Sequence, residues 1–174
     1  KIEIINNFLT QDEINNVYSY IKKLPHTNHS AISGDGQSTH SHNLNFLKGI
    51  QLEKKINDEI EKYCNSCGIE ITKINVCWSN IQKKDSFLKM HHHGDAPVVG
   101  AIFIKTDENS GKLCFQNPNP HSVVTNYLVD PNPNILCYKV KTGDLFIFPG
   151  WLQHGSNYEL NKSEERVVLS FNCK

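Results

Sequence analysis

The hydrophobic pattern of the first third of the chain predicts two helices separated by a long loop. Residues 1–5 alternate and predict a short strand, and Thr10-Gln-Asp-Glu13 has the form of a helix-capping box. Apolar residues with helical spacing follow it, at Ile14, Val17, Tyr18, Ile21 and Leu24. The first helix is expected to stop at Pro25. A second apolar helical face, ended by Gly68, consists of Leu52, Ile56, Ile60, Tyr63 and Cys64. The polar segment 26–45 between them predicts a loop long enough to act as a lid or binding loop.

After Gly68 the hydrophobic period changes from that of a helix to that of a strand. Strands are predicted over residues 69–82, 98–105, 112–116, 135–140, 144–148 and 165–172. Turns at 110–111, 117–120, 130–134 and 142–143 separate them. Two helices followed by short strands predict an α+β fold, mainly β, with an antiparallel sandwich or barrel. Neither a repeat nor a linker divides the chain, so we expect one domain over 1–174, with helical support in 1–68 and the β core in 69–174.

Composition narrows the class of protein. The 174 residues carry 18 basic and 18 acidic side chains, so the net charge is zero, and a nucleic-acid partner is not expected. The apolar runs are too short to span a bilayer and no signal-peptide pattern opens the sequence, which predicts a cytoplasmic protein without a membrane partner. The six cysteines do not require a disulfide framework at this chain length. The pair Cys64-Asn-Ser-Cys67 lacks the second pair that a structural zinc site needs.

The stretch "KMHHHGDAPVVGAIFI" suggests a metal site. In His93-Gly94-Asp95, an extended backbone would direct the imidazole and the carboxylate to the same side. His154 follows a later strand in "GDLFIFPGWLQHGS" and could meet them in a hairpin-rich sheet. Two histidines and one carboxylate form the facial triad of non-haem Fe(II) oxygenases. The plain alternative is a polar turn between two strands.

The last predicted strand carries Arg166, the only arginine in the chain. Ser170 shares its face, whereas Val167, Leu169 and Phe171 occupy the other. An arginine fork beside a hydroxyl is suited to binding a carboxylate. We therefore predict that one face of this strand borders a polar cavity and the other packs into the core.

This ordered set resembles the Fe(II)/2-oxoglutarate-dependent oxygenase superfamily. The segments "CWSNIQKKDSFLKMHHH", "VKTGDLFIFPGWLQHGS" and "ERVVLSFN", between Trp78 and Asn172, resemble a family of small oxygenases of bacteria and phages that is similar to prolyl hydroxylases. The resemblance implies a double-stranded β-helix, a jelly-roll or cupin-like barrel, supported by the N-terminal helices. It implies Fe(II), 2-oxoglutarate and O₂ as cofactor and cosubstrates. The residues that would hold iron are His93, Asp95 and His154. Arg166 would bind the distal carboxylate of 2-oxoglutarate, helped by Ser170.

Several positions leave alternatives open. Related oxygenases often carry a second serine two residues after the arginine, where this chain has Val168. His91 and His93 could instead form an H-x-H pair, as in cupin-type sites, or His91 or His92 could approach the substrate or bond to a metal ligand. Asn80 either touches 2-oxoglutarate or substrate, or bonds to backbone. Trp151 is a further candidate substrate contact.

The resemblance predicts hydroxylation of a C–H bond, with succinate and CO₂ as coproducts. A peptidyl proline or another protein side chain is the first candidate substrate, and a free amino acid or small metabolite is the second. Asn172 stands where the nucleic-acid demethylase branch has a second arginine, which argues against alkylated-base repair.

Two alternatives lack oxygenase activity: a cupin-like metal-binding module and a catalytically silent sandwich. A loop cluster offers such a module further ligands: His26, His29, His40 and His42. The cell would be bacterial, including one infected by a phage, and the oligomeric state is not predicted.

Overall fold

Two long helices form where the apolar periodicity predicts them. The computed structural model describes residues 1–40, 47–119 and 134–174. Helix α1 spans Gln11–Ile21, the short α2 spans Leu47–Ile50, and α3 spans Glu53–Cys67. The capping box is present, because Thr10 Oγ1 accepts from the Glu13 amide at 3.3 Å and Glu13 Oε2 accepts from the Thr10 amide at 2.8 Å. Helix α3 ends at Gly68, whose φ of 65° lies in the left-handed region that glycine adopts without strain.

Twelve strands are found in the described residues. In chain order they are β1 (Glu3–Ile5), β2 (Thr27–Asn28), β3 (Ile32–Ser33), β4 (Gly36–Ser38), β5 (Ile74–Lys83), β6 (Phe87–Leu88), β7 (Val98–Lys105), β8 (Leu113–Gln116), β9 (Ile135–Tyr138), β10 (Leu145–Pro149), β11 (His154–Gly155) and β12 (Glu165–Cys173). The predicted strands after Gly68 are therefore present, although β5 begins five residues later than the pattern indicates.

The strands form a large sheet and two small ones. The large sheet has seven strands in the order β1-β10-β7-β12-β5-β4-β2, and the small sheets are β11-β8-β9 and β3-β6. The pairs are antiparallel. Sheet β11-β8-β9 packs on one face of the large sheet, where the Phe115 and Phe148 rings lie 4.8 Å apart. The helices cover the opposite face. This is the predicted double-stranded β-helix with supporting N-terminal helices.

Strand β12 lies in the centre of the large sheet and divides its side chains as predicted. Val167, Leu169 and Phe171 are fully buried in the core beneath the helices. Arg166 and Ser170 border a cavity on the other face. The period of two in the sequence therefore corresponds to the two sides of the sheet.

Two features differ from the sequence expectation or were not part of it. The described part of segment 26–45 is not one loop but contains β2, β3 and β4, because pairing such as Ser38 with Asn80 extends the large sheet without needing an apolar repeat. Residues 41–46, including His42, and 120–133 lie outside the described residues. Cys114 and Cys137 face each other across β8 and β9 and form a disulfide, whereas Cys64 and Cys67 are free. Within the described residues, no helix has the length and apolar character needed to cross a membrane.

Candidate active site

Backbone pairing brings the predicted histidines of two distant segments together. An isolated antiparallel bridge joins His91 to His154, with N···O distances of 3.0 and 2.9 Å. Two residues further on, the His93 amide donates to the Gly150 carbonyl at 2.7 Å. The segment after β6 is thereby held against the segment that leads into β11. Since His91 and His93 are two residues apart in this extended stretch, their side chains reach the same side.

Three imidazoles converge as a result. The ligand atoms of His91, His93 and His154 all lie within 4.8 Å of one another. The Nδ1 atoms of His91 and His154 each lie 2.8 Å from a backbone carbonyl, those of Lys89 and Leu152. Because a carbonyl can only accept, both Nδ1 atoms carry the proton and both Nε2 atoms keep a free lone pair. That is the tautomer a metal ligand needs.

Burial keeps these histidines uncharged. Removal from water lowers the pKa of His154 to about 3 and that of His93 to about 4, and it also lowers the pKa of His91. All three rings are neutral at pH 7, so no proton competes with a cation for their lone pairs. Imidazole nitrogen is a donor that iron accepts, and three ligands leave coordination positions open. The cluster therefore fits a divalent metal ion such as Fe(II).

Asp95 is not among the converging side chains. The chain turns after His93, where the Ala96 amide donates to the His93 carbonyl at 2.9 Å, and this turn carries Asp95 to the surface. Its side chain is 76% exposed and lies 3.1 Å from the Lys174 ammonium, whose hydrogen bond lowers the pKa of Asp95. The extended backbone assumed for His93-Gly94-Asp95 ends one residue too early for the carboxylate to face the cluster. The residues that meet are those of the H-x-H alternative.

A cavity of about 220 Å³ leads from the histidine cluster to Arg166. Arg166 is 3% exposed and is held by neutral groups: its Nε donates to the Gly111 carbonyl at 3.1 Å and its Nη1 to Gln82 Oε1 at 2.5 Å. The guanidinium carbon also lies 5.1 Å from the centre of the Phe103 ring. No carboxylate among the described residues pairs with it. Burial lowers the pKa of Arg166 to about 10, so it is still a cation at pH 7. A buried cation without a counter-ion fits the carboxylate of a ligand.

The remaining predicted residues occupy different places. Asn80 and Ser170 both line the cavity, opposite Val168 and Trp78 across β5 and β12. Trp151 does not line it: its ring is 58% exposed in a separate surface groove with Leu136.

One polar cavity residue, Gln82, was missed by sequence reasoning, and two others, His29 and His40, were predicted only as possible ligands of a loop cluster. Gln82 follows Asn80 by two residues on β5, so the period of the strand places it on the same face and would have identified it. His29 and His40 come from the N-terminal segment that was predicted to be a loop, and both line the cavity. The His40 ring lies 4.6 Å from Trp78, which in turn lies 5.6 Å from His93. His26, by contrast, is bonded to the Leu24 carbonyl and Ser79 Oγ at 2.9 and 2.8 Å.

Solved structures share this fold. HygX from Streptomyces hygroscopicus, with nickel and 2-oxoglutarate bound, superposes with a TM-score of 0.72 at 12% identity and covers 99% of this chain and 82% of its own. The viral collagen prolyl hydroxylase vCPH from Paramecium Bursaria Chlorella virus-1, a 2-oxoglutarate complex, gives 0.67 at 16% identity over 99% and 94%. A Pseudomonas putida prolyl-4-hydroxylase gives 0.61 at 14% identity over 98% and 91%. No curated protein matches the sequence at a significant level.

The sequence of the strand region identifies the family. Residues 76–172, more than half of the chain, match the sequence model described as "Putative 2OG-Fe(II) oxygenase". The matched region contains the three converging histidines and the buried arginine. Oxygenases of this family use Fe(II), 2-oxoglutarate and O₂. The chain therefore belongs to the 2OG-Fe(II) oxygenases.

Proposed function

We propose that this oxygenase hydroxylates a C–H bond of a protein side chain, with peptidyl proline as the first candidate, using iron held by His91, His93 and His154. One observation carries the proposal: a 220 Å³ cavity is lined both by three neutral imidazoles and by a buried guanidinium that has no counter-ion among the described residues. A small dicarboxylate with a chelating keto-acid group matches both features. Succinate and CO₂ would be the coproducts.

Each part of the site has a distinct task in this proposal. Iron bound to the three histidines would supply O₂ activation coupled to decarboxylation of 2-oxoglutarate. The carbonyls of Lys89 and Leu152 hold two imidazoles in the tautomer that binds metal. Arg166 would orient the keto acid by its distal carboxylate. Apolar walls, formed by residues such as Phe103, Leu113, Phe148 and Val168, would exclude water from the reacting atoms.

The substrate would approach from the end of the cavity that His29, His40 and His92 line. A cavity of this size admits a side chain rather than a folded domain, so a protein substrate would insert one residue. Two of the similar structures are prolyl hydroxylases by name, which supports proline as the first residue to test. His29 and His40 flank strands β2, β3 and β4, whose pairing with the sheets holds this segment beside the cavity.

A small-molecule substrate is the second candidate. HygX has also been solved with nickel, 2-oxoglutarate and hygromycin B bound. That structure superposes with a TM-score of 0.71 at 14% identity. The same fold therefore accommodates a small polar molecule beside the keto acid. A free amino acid or a metabolite with a hydroxylatable C–H bond belongs in the same screen as proline peptides.

The metal set is tested by comparing four alanine variants for anaerobic Fe(II) binding and for succinate formation from 2-oxoglutarate. His91→Ala and His154→Ala are expected to lose both, because each removes one of three ligands. Asp95→Ala and His92→Ala are expected to retain both. His92 is a matched control for metal binding, since it lies between the two ligand positions in the sequence but its exposed side chain is not part of the three-histidine cluster. Loss of iron in Asp95→Ala with retention in His91→Ala would restore the H-x-D assignment and reject the one proposed.

The substrate class is tested with the wild-type enzyme, Fe(II) and 2-oxoglutarate. Proline-containing peptides are expected to raise succinate formation above the uncoupled rate and to gain one oxygen atom by mass spectrometry. If only free amino acids or small metabolites are oxidised, the protein-substrate proposal fails while the oxygenase activity stands. Absence of both succinate formation and 2-oxoglutarate binding would reject the oxygenase function itself.

A further inference from the structure

Gln82 is the nearest cavity partner of the buried arginine. The two residues face each other directly across β5 and β12, and both line the cavity. Gln82 is 2% exposed and Arg166 is 3% exposed. Arg166 Nη1 donates to Gln82 Oε1, a hydrogen bond from a charged donor to a neutral acceptor. Gln82 therefore belongs to the same buried polar group as Arg166.

The chemistry of arginine fixes which end of the amide faces it. A guanidinium has five N–H donors and no acceptor, so Gln82 must present its oxygen to Nη1. The other end of that amide, Nε2, has two N–H donors and makes no hydrogen bond with the described residues. Arg166 Nη2 likewise has no acceptor there. Two hydrogen-bonded residues that line the cavity thus both keep unused donors, and a carboxylate has two oxygens to accept them.

Ser170 is poorly placed for this task. It lies four positions after Arg166 on the strand, which corresponds to about 13 Å between their Cα atoms. The guanidinium is tied to Gly111 and Gln82 at its own end of the strand. Between the two lies Val168, whose side chain offers no hydrogen bond. The donor that complements Arg166 comes from the neighbouring strand and not from further along β12.

We infer that Gln82 is a second cosubstrate-binding residue of this enzyme. Its Oε1 holds the guanidinium of Arg166 in place, and its Nε2 donates to the distal carboxylate of 2-oxoglutarate. This inference rests on the proposed function, which places that carboxylate at Arg166. It assigns to one amide both the positioning of the cation and part of the recognition of the anion.

If Gln82 contacts the distal carboxylate, it contributes to the selectivity of the enzyme for 2-oxoglutarate over keto acids that lack this group. 2-Oxopentanoate has the same carbon chain and the same chelating end as 2-oxoglutarate but a methyl group in place of the distal carboxylate. A change that merely disturbs the fold or the metal would weaken both compounds. Loss of a carboxylate contact would weaken 2-oxoglutarate alone.

The test measures the Kd of both keto acids by anaerobic calorimetry on the full chain loaded with Fe(II). Gln82→Met keeps the length of the side chain and removes both hydrogen-bonding ends. It is expected to raise the Kd of 2-oxoglutarate about 10- to 100-fold and to change that of 2-oxopentanoate less than about 3-fold. Gln82→Glu keeps an acceptor for Arg166, but it removes the donor and adds a like charge. Its Kd for 2-oxoglutarate is expected to rise further still. Gln37→Met is the matched control, because Gln37 is exposed on the adjoining strand β4.

The possible outcomes distinguish failure of the role of Gln82 from failure of the proposed function. If wild type prefers 2-oxoglutarate and both Gln82 variants keep that preference, the role of Gln82 is refuted while the proposed function stands. If Gln82→Met weakens both keto acids equally, Gln82 has only a structural role. If wild type binds neither compound, the proposed function fails and the inference falls with it.

Discussion

Neighbouring residues on β12 carry opposite charges into opposite environments. Glu165 faces the helices and is 7% exposed. Tyr18 donates a hydrogen bond to it at 2.5 Å, and three lysine ammonium groups lie within 3.2 Å. Those lysines come from three different elements of the chain: Lys22, Lys83 and Lys105. The chain itself supplies every partner that this carboxylate needs.

Arg166, one residue later, faces the cavity and has no such set of partners among the described residues. Its hydrogen bonds go to a carbonyl and an amide, both neutral. A buried charge that lacks a counter-ion costs folding free energy, so the empty protein gains nothing from it electrostatically. The difference between the two faces indicates that the Glu165 site is complete in the folded chain. Under the proposed function, the carboxylate of a bound ligand would complete the Arg166 site.

The largest effect that tests this difference is expected from Arg166→Met. It removes the cation that would meet the distal carboxylate, so 2-oxoglutarate binding by calorimetry should weaken at least about 100-fold. Without keto acid, the free energy of unfolding should change by less than about 1 kcal/mol. The relieved desolvation of the guanidinium offsets its lost hydrogen bonds. Unchanged 2-oxoglutarate affinity would show that Arg166 does not bind the keto acid.

The next effect concerns Glu165→Gln. This change should lower the free energy of unfolding at pH 7 by about 1–3 kcal/mol, since hydrogen bonds from charged groups to a buried carboxylate are lost. It should leave the affinity for 2-oxoglutarate unchanged. Glu164→Gln is the control, because Glu164 directly precedes β12 and its side chain is exposed. Equal stabilities of the two variants would show that the lysines contribute nothing to the fold.

The same variant has a defined pH dependence. Burial alone would raise the pKa of Glu165, but hydrogen bonds from Lys83, Tyr18 and Lys22 hold it well below its usual value of 4.5. A carboxylate with a lowered folded-state pKa contributes its full stability above its unfolded pKa and loses it as the pH falls. The stability difference between wild type and Glu165→Gln should therefore be constant above pH 4.5 and shrink below it. Chemical denaturation at several pH values measures this.

The smallest expected effect on 2-oxoglutarate affinity comes from a change at Val168, on the cavity face of β12. Val168→Ser places a hydroxyl two residues from Arg166 on the cavity-lining face, where related oxygenases often have serine. Affinity for 2-oxoglutarate is expected to rise about 2- to 10-fold, the contribution of one neutral hydrogen bond. Val168→Ala separates this gain from the loss of side-chain volume. Equal Kd values for the serine and alanine variants would place the ligand beyond the reach of residue 168.

Particular residues mark how far the sequence predicted this protein. The capping box at Thr10, the end of the helix at Gly68 and the two faces of β12 depend on local spacing, and the structure confirms them. The double-stranded β-helix and the oxygenase family are confirmed as well. The strands within 26–40 were not predicted because they form by pairing with β5, with β6 and with one another, and their own residues carry no apolar repeat. The disulfide was not predicted, because it depends on a cross-strand register that spacing does not encode.

The three-histidine cluster shows which features the sequence determined and which the tertiary structure decided. By itself, the sequence determined the periodicity of the elements and the presence of histidines and one arginine at intervals typical of this family. The tertiary structure decided which of these side chains meet: the bridge between His91 and His154 and the turn after His93 select three imidazoles and carry Asp95 to the surface. The physical reason is that a side chain's direction depends on the backbone at that residue. The turn after His93 lies outside the strand pairing and directs the Asp95 side chain away from the histidines, although the sequence His93-Gly94-Asp95 keeps the H-x-D spacing.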